Sequence, residues 1–259
     1  NFLPDLDLQQ MQESAQWVVG RQAHNIEGFH QECRLETRLK SGIEIAMWDV
    51  AGKAAGVPVA MLLGGIRRPR VELAACMGIQ SYERAGEIAS LYVEQGFTTL
   101  KTKAWSDMEA DLEMVRGIRD AVGMKLKLRI DHNRAYSLED ALQLCQRLEQ
   151  YELEYLEQPI PAEPLSEAVA LRDATSVPIA LNESVIGPDS AWEILHQGAS
   201  ELLLPDTHIA GGILPCVKIG HLAESAGATC IMHCGHDLGP KTADRKSTRL
   251  NSSHKPISY

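Results

Sequence analysis

The sequence predicts an α/β fold: a (β/α) barrel of the TIM type, incomplete at about seven strands, preceded by a helical segment. Three observations carry this. Six residues suited to proton and metal chemistry, Lys103, Asp131, Glu157, Glu183, Asp206 and His233, recur at intervals of 23 to 28 residues. One strand, one helix and two loops of a βα unit take roughly 25–35 residues. Each of the six sits at or just past the end of a short apolar run that is near-continuous rather than alternating, as suits parallel strands covered on both faces. The stretches after most of them carry apolar positions at helical spacing. All six therefore fall on one edge of a parallel sheet, the edge where βα barrels keep their chemistry.

Residues 1–66 read as helical. From residue 39 to 55, Ile43, Ile45, Ala46, Trp48, Ala51 and Ala54 recur at helical spacing, and Gly56 is placed to end the helix. Gly64-Gly65 then marks a turn. The alternation begins with a strand at 71–80 and a helix that stops at Gly96. The second strand is 97–104, and its helix starts near Asp107 and closes at Gly123. After a third strand at 125–131, Ser137 opens a helix with Asp140 three residues on, a pattern resembling a capping box. The fourth strand, 153–157, is ended by Pro159 and Pro161. Strands follow at 178–183, 201–206 and 228–233, the last preceded by a helix over 213–226 that ends at Gly227.

At 259 residues the chain can bury a large core, and a barrel of about 250 residues is often one domain. A net charge of −10 argues against a nucleic-acid partner, which needs a basic surface. No apolar stretch approaches the 18 residues or so of a membrane span. The six cysteines form no CxxC pair, and several fall on apolar positions, which reads as buried free thiols and a reducing, cytoplasmic compartment.

The chemistry follows from residue type and place. Asp131, Glu157 and Glu183 are hard oxygen donors on neighbouring strand ends, and three such carboxylates repel one another unless a cation neutralises them. Mg2+ favours an octahedral shell of carboxylate oxygens with positions left for water or substrate, and Mn2+ is the alternative. Lys101 and Lys103 lie two apart on one strand, so both point into the barrel mouth. Adjacent ammonium groups disfavour one another's charge, which pulls a lysine pKa down from about 10.4 and makes a base near neutrality. Asp206 and His233 sit on neighbouring strands, where an Asp fixes the tautomer of the imidazole. His236, in "MHCGHD", competes with His233 for that role.

The strand ends "KTK", "DHN", "LEQP", "LNES", "PDTHIAGG" and "MHCGH", after "IEIAMWDVAGKAAG" and "LLGG", resemble the mandelate racemase/muconate lactonizing enzyme branch of the enolase superfamily over residues 39–243. That resemblance implies Asp131, Glu157 and Glu183 as metal ligands, with Asn182 as the alternative third ligand. It implies Lys103 and His233 as bases on opposite faces of a substrate, Lys101 as support for the lysine, and Asn133 and Gln158 around the ligands. Asp206 stands where one subgroup has a second lysine, which directs the resemblance to the mandelate racemase-like subgroup and its His–Asp dyad. Such sites use a Lys or His base with Mg2+ stabilising an ene-diolate. The implied activity is removal of the proton α to a carboxylate, with dehydration of an acid sugar to a 2-keto-3-deoxy acid leading. A racemase or epimerase of a 2-hydroxy or related acid is the alternative, and a non-catalytic metal-binding scaffold the second. The partner is then a small carboxylate, and a homo-oligomer is expected at full length.

The same resemblance divides the chain into residues 1–66, the helical later part of an α+β capping domain, and 67–243, a barrel without its eighth strand. Residues 244–259, beginning "DRKSTRLNSSH", carry no apolar period and match a translated sequencing adapter, so they are expected to be a non-native tail. A fragment so divided is expected to be inactive or poorly folded, because an open barrel exposes unpaired strand edges.

Overall fold

The computed structural model describes residues 8–66 and 68–233, and the backbone of 251–252. Four helices come first: α1 (Leu8–Val18), α2 (Ile26–Glu32), α3 (Thr37–Ala55) and α4 (Val59–Leu62). Then β1 (Ala75–Met77), β2 (Thr99–Lys103), β3 (Lys127–Asp131), β4 (Tyr155–Glu157), β5 (Ile179–Leu181), β6 (Leu202–Leu203) and β7 (Thr229–Met232) run parallel in sequence order. Between them lie α5 (Tyr82–Glu94), α6 (Met108–Val122), α7 (Leu138–Leu148), α8 (Leu165–Ala174), α9 (Pro188–Gln197), and the pair α10 (Thr207–Ala210) and α11 (Ile213–Ser225). This is the expected curled βα array. The strands are shorter than the apolar runs that predicted them: the 71–80 run yields three paired residues and the 201–206 run two.

Helix ends follow local chemistry. Ser137 accepts from the backbone N–H of Asp140, and Asp107 from those of Glu109 and Ala110. Gly56 closes α3 at φ 65°, a left-handed position that suits glycine. Leu100, Leu128, Ile130, Leu156, Leu181 and Leu203 turn outward into one continuous core beneath the helices. A second, small cluster of Tyr155, Ala180, Leu204 and Ile231 lies apart from it. Helices α5 and α6 touch backbone to backbone, because a Cβ on Gly117 would lie 2.1 Å from the carbonyl oxygen of Tyr82. Of the cysteines, Cys33, Cys145 and Cys216 are buried, and burial pushes Cys145 up to about 11 and Cys230 up to about 12. Cys76 is exposed, and Cys234 lies outside the described residues.

One feature of the sheet departs from expectation. Asn251–Ser252, in the segment read as a tail, forms a two-residue β8 that pairs in parallel with Ile231 and Met232 of β7. Its polar residues carry no apolar pattern from which a strand could be read. Among the described residues β8 does not pair with β1, so the sheet stays open there.

The N-terminal helices are bolted to the barrel through Glu44 of α3. Its side chain is fully buried, and its two oxygens accept the backbone N–H groups of Ile213 and Leu214, each at 2.8 Å. These belong to the first turn of α11, whose free N–H groups and dipole favour a carboxylate. Trp48 Nε1 donates to the same side chain at 2.9 Å. Gly212, at φ 139°, leaves the space that Glu44 fills, since a Cβ there would lie 2.5 Å from it. Substituting Glu44→Ala strands one buried and one half-buried N–H group and is expected to cost about 2–4 kcal/mol in denaturant unfolding. A change below about 0.5 kcal/mol, the scale of a neutral surface substitution, would contradict this attachment.

Candidate active site

Strand register brings the first three site residues to one level. Lys103 pairs with Asp131, and Asp131 with Glu157, each the last residue of its strand. The sheet then staggers: Glu157 pairs with Ala180, so Glu183 stands three positions further along its chain, past the end of β5. On the far side Leu203 pairs with Cys230, which sets Asp206 opposite His233, three residues beyond each. The His233 N–H continues that ladder onto the carbonyl of Pro205 at 2.9 Å.

Both lysines reach Asp131, as the period-2 reading required. Lys103 Nζ lies 2.5 Å from Asp131 Oδ2 and donates to Asn133 Oδ1 at 2.7 Å. Lys101 Nζ lies 3.1 Å from the same Asp131 oxygen and donates to both oxygens of Glu157, at 2.7 and 2.6 Å. Asp131 and Glu157 are fully withdrawn from solvent, while Lys103 keeps nearly half of its side chain exposed. For Lys101 the expectation of a lowered pKa is reversed. Burial pulls its ammonium down, but Glu157 and Asp131 together push it further up. Two carboxylates lie beside the Lys101 ammonium, Glu157 at 2.6 Å and Asp131 at 3.1 Å.

The carboxylates respond in opposite directions. Burial would raise Asp131, yet the charges of Lys101 and Lys103 hold it well below the usual range. Glu157 is pushed up by burial, only partly countered by Lys101 and reinforced by Asp131. One proton is thus easier to place on Glu157 than on its partner.

At the other flank Asp206 and His233 meet as expected, His233 Nδ1 lying 3.0 Å from Asp206 Oδ2. His233 Nε2 faces Glu157 Oε1 at 3.4 Å. His236 lies outside the described residues. Asp206 also caps α10, and its Oδ1 accepts the N–H of His208 at 2.7 Å, with His208 Nδ1 at 3.1 Å. Burial would raise Asp206, but hydrogen bonds from His208 and His233 hold it far down. His208 carried no signal in the sequence beyond standing two residues after an Asp at a strand end.

The donors for a hard cation are partly assembled. One oxygen each of Asp131 and Glu157 and a ring nitrogen of His233 lie within 4.8 Å of one another. Glu183 stands outside that group: its Oε1 accepts from Asn133 Nδ2 at 3.1 Å, and Arg134 Nε lies 3.6 Å from it. Its Oε2 is buried with no hydrogen-bond partner among the described residues, an acceptor that a cation would satisfy. The side chain of Asn182 is already engaged, donating to the carbonyl of Leu204 at 2.7 Å. These donors fit a dication, with the condition that Lys101 yields the oxygens of Glu157. Asn133 and Gln158 frame them from left-handed positions, φ 45° and 38°, a strain of about 1–3 kcal/mol each. Gln158 Oε1 accepts the N–H groups of Asn182 and Ser184 at 3.1 and 3.2 Å, which fixes the turn carrying Glu183.

A buried network missed by the sequence reading braces the entrance to the site. Asp111 of α6 accepts the N–H of Trp105 at 2.6 Å and the hydroxyl of Tyr136 at 2.7 Å, and lies 3.2 Å from His132 Nε2. It ties the exit of β2 to the exit of β3, although nothing in its helical sequence context marks it.

Asp131 and Asp206 are depressed in the fold, so each stabilises it above the ordinary carboxylate range of about pH 4, and that stability is lost as pH falls toward the depressed value. Asp206→Asn removes one of the two. Its unfolding free energy is expected to fall less steeply between about pH 5 and 2 than that of the unaltered protein. Parallel curves would show that the His233–Asp206 contact contributes nothing to acid sensitivity.

The chain matches the mandelate racemase/muconate lactonizing enzyme N-terminal domain over residues 7–64 and the enolase C-terminal domain-like family over residues 83–245. It is 31% identical to the hydrophobic dipeptide epimerase of Enterococcus faecalis, over 85% of this chain and 63% of that protein. To the arabinonate dehydratase of Saccharolobus solfataricus it is 33% identical, over 74% of this chain and 53% of the relative. The chain therefore spans roughly half to two thirds of these curated relatives. A crystal structure of the dipeptide epimerase from E. faecalis V583, complexed with Mg and the dipeptide L-Leu-L-Tyr, superposes with a TM-score of 0.86 at 28% identity, covering 95% of this chain and 73% of that one. The chain belongs to the mandelate racemase/muconate lactonizing enzyme branch of the enolase superfamily.

Proposed function

We propose that this chain carries the core of an enzyme that removes the proton α to a carboxylate, with dehydration of an acid sugar to a 2-keto-3-deoxy acid as the leading reaction. The observation that carries this reading is the pair of candidate bases on opposite flanks of the buried carboxylates. Lys103 sits at Asp131, and His233, backed by Asp206, sits at Glu157.

Asp131, Glu157 and Glu183 would hold Mg2+, which when bound neutralises the charge that develops on the substrate carboxylate. Lys103 Nζ, held at the mouth by Asp131 and Asn133, takes or returns a proton on one face of the α-carbon. His233 has Nδ1 committed to Asp206, which leaves Nε2 as its working atom on the other face. Protonated at Nε2, it donates to a β-hydroxyl that leaves as water. Where no hydroxyl stands there, the Nε2 proton goes instead to the α-carbon, on the face opposite the one from which Lys103 took its proton, and the centre is inverted. An Asp rather than a lysine at position 206 supports the dehydratase reading, and the likeness to the arabinonate dehydratase agrees with it. The epimerase reading draws support from the likeness to the E. faecalis enzyme, in sequence and in structure. A small carboxylate is the substrate class in both readings.

The test is deuterium uptake at the α-carbon of a panel of acid sugars and dipeptides, with Mg2+ and a full-length version of the protein. Exchange with water loss is expected on an acid sugar. Exchange into both stereoisomers without water loss would replace dehydration by epimerisation, and no exchange on any substrate would sink both. Lys103→Ala is expected to lower the rate at its face by about 100-fold or more, the scale of a general base. Full retention of activity would remove Lys103 from that role.

A further inference from the structure

We infer that His208 is a positioning residue for His233: a second histidine that shares the carboxylate of Asp206 and holds it in the orientation the first one uses. The site reads as His208–Asp206–His233 rather than as a dyad. Asp206 Oδ1 receives two contacts from residue 208, the backbone N–H at 2.7 Å and ring Nδ1 at 3.1 Å. Asp206 Oδ2 is left for His233 Nδ1 at 3.0 Å. The terminal torsion of an aspartate is soft and roughly two-fold, so a carboxylate held at one point can turn. Two contacts on Oδ1 fix its plane and aim Oδ2 at His233.

The arrangement also divides charge. A carboxylate with one imidazole partner presents its full pull to that ring, whereas Asp206 spends part of it on His208. The shift of His208 agrees with this. The hydrogen bond to Asp206 raises its pKa, against burial and the positive charge of Arg38 on α3. The contacts of His208 run to Asp206, so its role runs through that carboxylate. About a third of its side chain is exposed, so its substitution does not open the core. Because Arg38 faces it from α3, the N-terminal helices border the rear of this triad as well as capping α11 through Glu44.

His208→Ala and His208→Phe both remove the ring donor and keep the backbone bond that caps α10. His208→Asn returns an amide N–H close to where Nδ1 lies. In the full-length protein without ligand, nitrogen NMR reads the tautomer of His233. The unaltered protein is expected to show the Nδ1–H form, the Ala and Phe variants a mixture with the Nε2–H form, and the Asn variant a return to Nδ1–H. The effect on turnover rests on the proton-abstraction reading. There, deuterium exchange from the His233 face should fall about tenfold in Ala and Phe and recover in Asn, while exchange from the Lys103 face stays within about twofold, as for an orienting partner rather than a fold-wide defect. An unchanged His233 tautomer in both Ala and Phe, equal losses on both faces, or no recovery in Asn would overturn the inference. If the unaltered protein exchanges no proton at all, the proton-abstraction reading fails and the tautomer alone decides the triad.

Discussion

The site depends on one electrostatic constraint: two carboxylates, Asp131 and Glu157, buried side by side and neutralised by lysines from the neighbouring strand. Removing one partner of a buried ion pair costs about 3–5 kcal/mol, because the remaining charge has neither water nor a counterion. Lys101, itself buried, answers both oxygens of Glu157 and one of Asp131. The strand register makes this possible by ending β2, β3 and β4 at the same level. The balance is unequal: burial outweighs Lys101 at Glu157, whereas the two lysine charges outweigh burial at Asp131. Burial is not fully offset at Glu157, and along the same edge lies the buried Oε2 of Glu183, which has no hydrogen-bond partner among the described residues.

The second half of the sheet serves the opposite flank by a different device. Strand β6 is only two residues long, and the chain leaves it directly into α10, capped by Asp206, and α11, capped by Glu44. One loop thus carries the aspartate that orients His233 and the helix end that receives the N-terminal segment. The helices that precede the barrel are part of what holds the histidine side of the site in place.

Much of this was legible in the sequence because it rests on spacing. A βα repeat has a nearly fixed length, so chemistry at strand ends recurs at a fixed interval, and Lys103, Asp131 and Glu157 could be aligned before any coordinates. The dyad was legible for the same reason. What escaped depends on three-dimensional stagger and on long-range partners. The offset at β5 leaves Glu183 outside the tightest group, and no local pattern encodes a shear between strands. Glu44 meets Ile213 from 169 residues away, and Asp111 of α6 meets Tyr136 in the loop before α7. A single buried Glu or Asp within a helical pattern looks like any solvated acid. His208 was visible only as one more polar residue in a strand-end motif. For Lys101 the lowering was misjudged because the charges of Glu157 and Asp131 beside it were left out of the count.

On the proposed reading, these carboxylates form a binding site for a hard dication whose place is shared with Lys101. Calorimetric titration of the full-length protein with Mg2+ tests it most directly. The account predicts saturable binding of one ion per chain, weakened by at least about tenfold in Asp131→Asn and in Glu157→Gln and strengthened when Lys101 is replaced by Met. Absence of saturable binding, or affinity unchanged in both carboxylate variants, would contradict it.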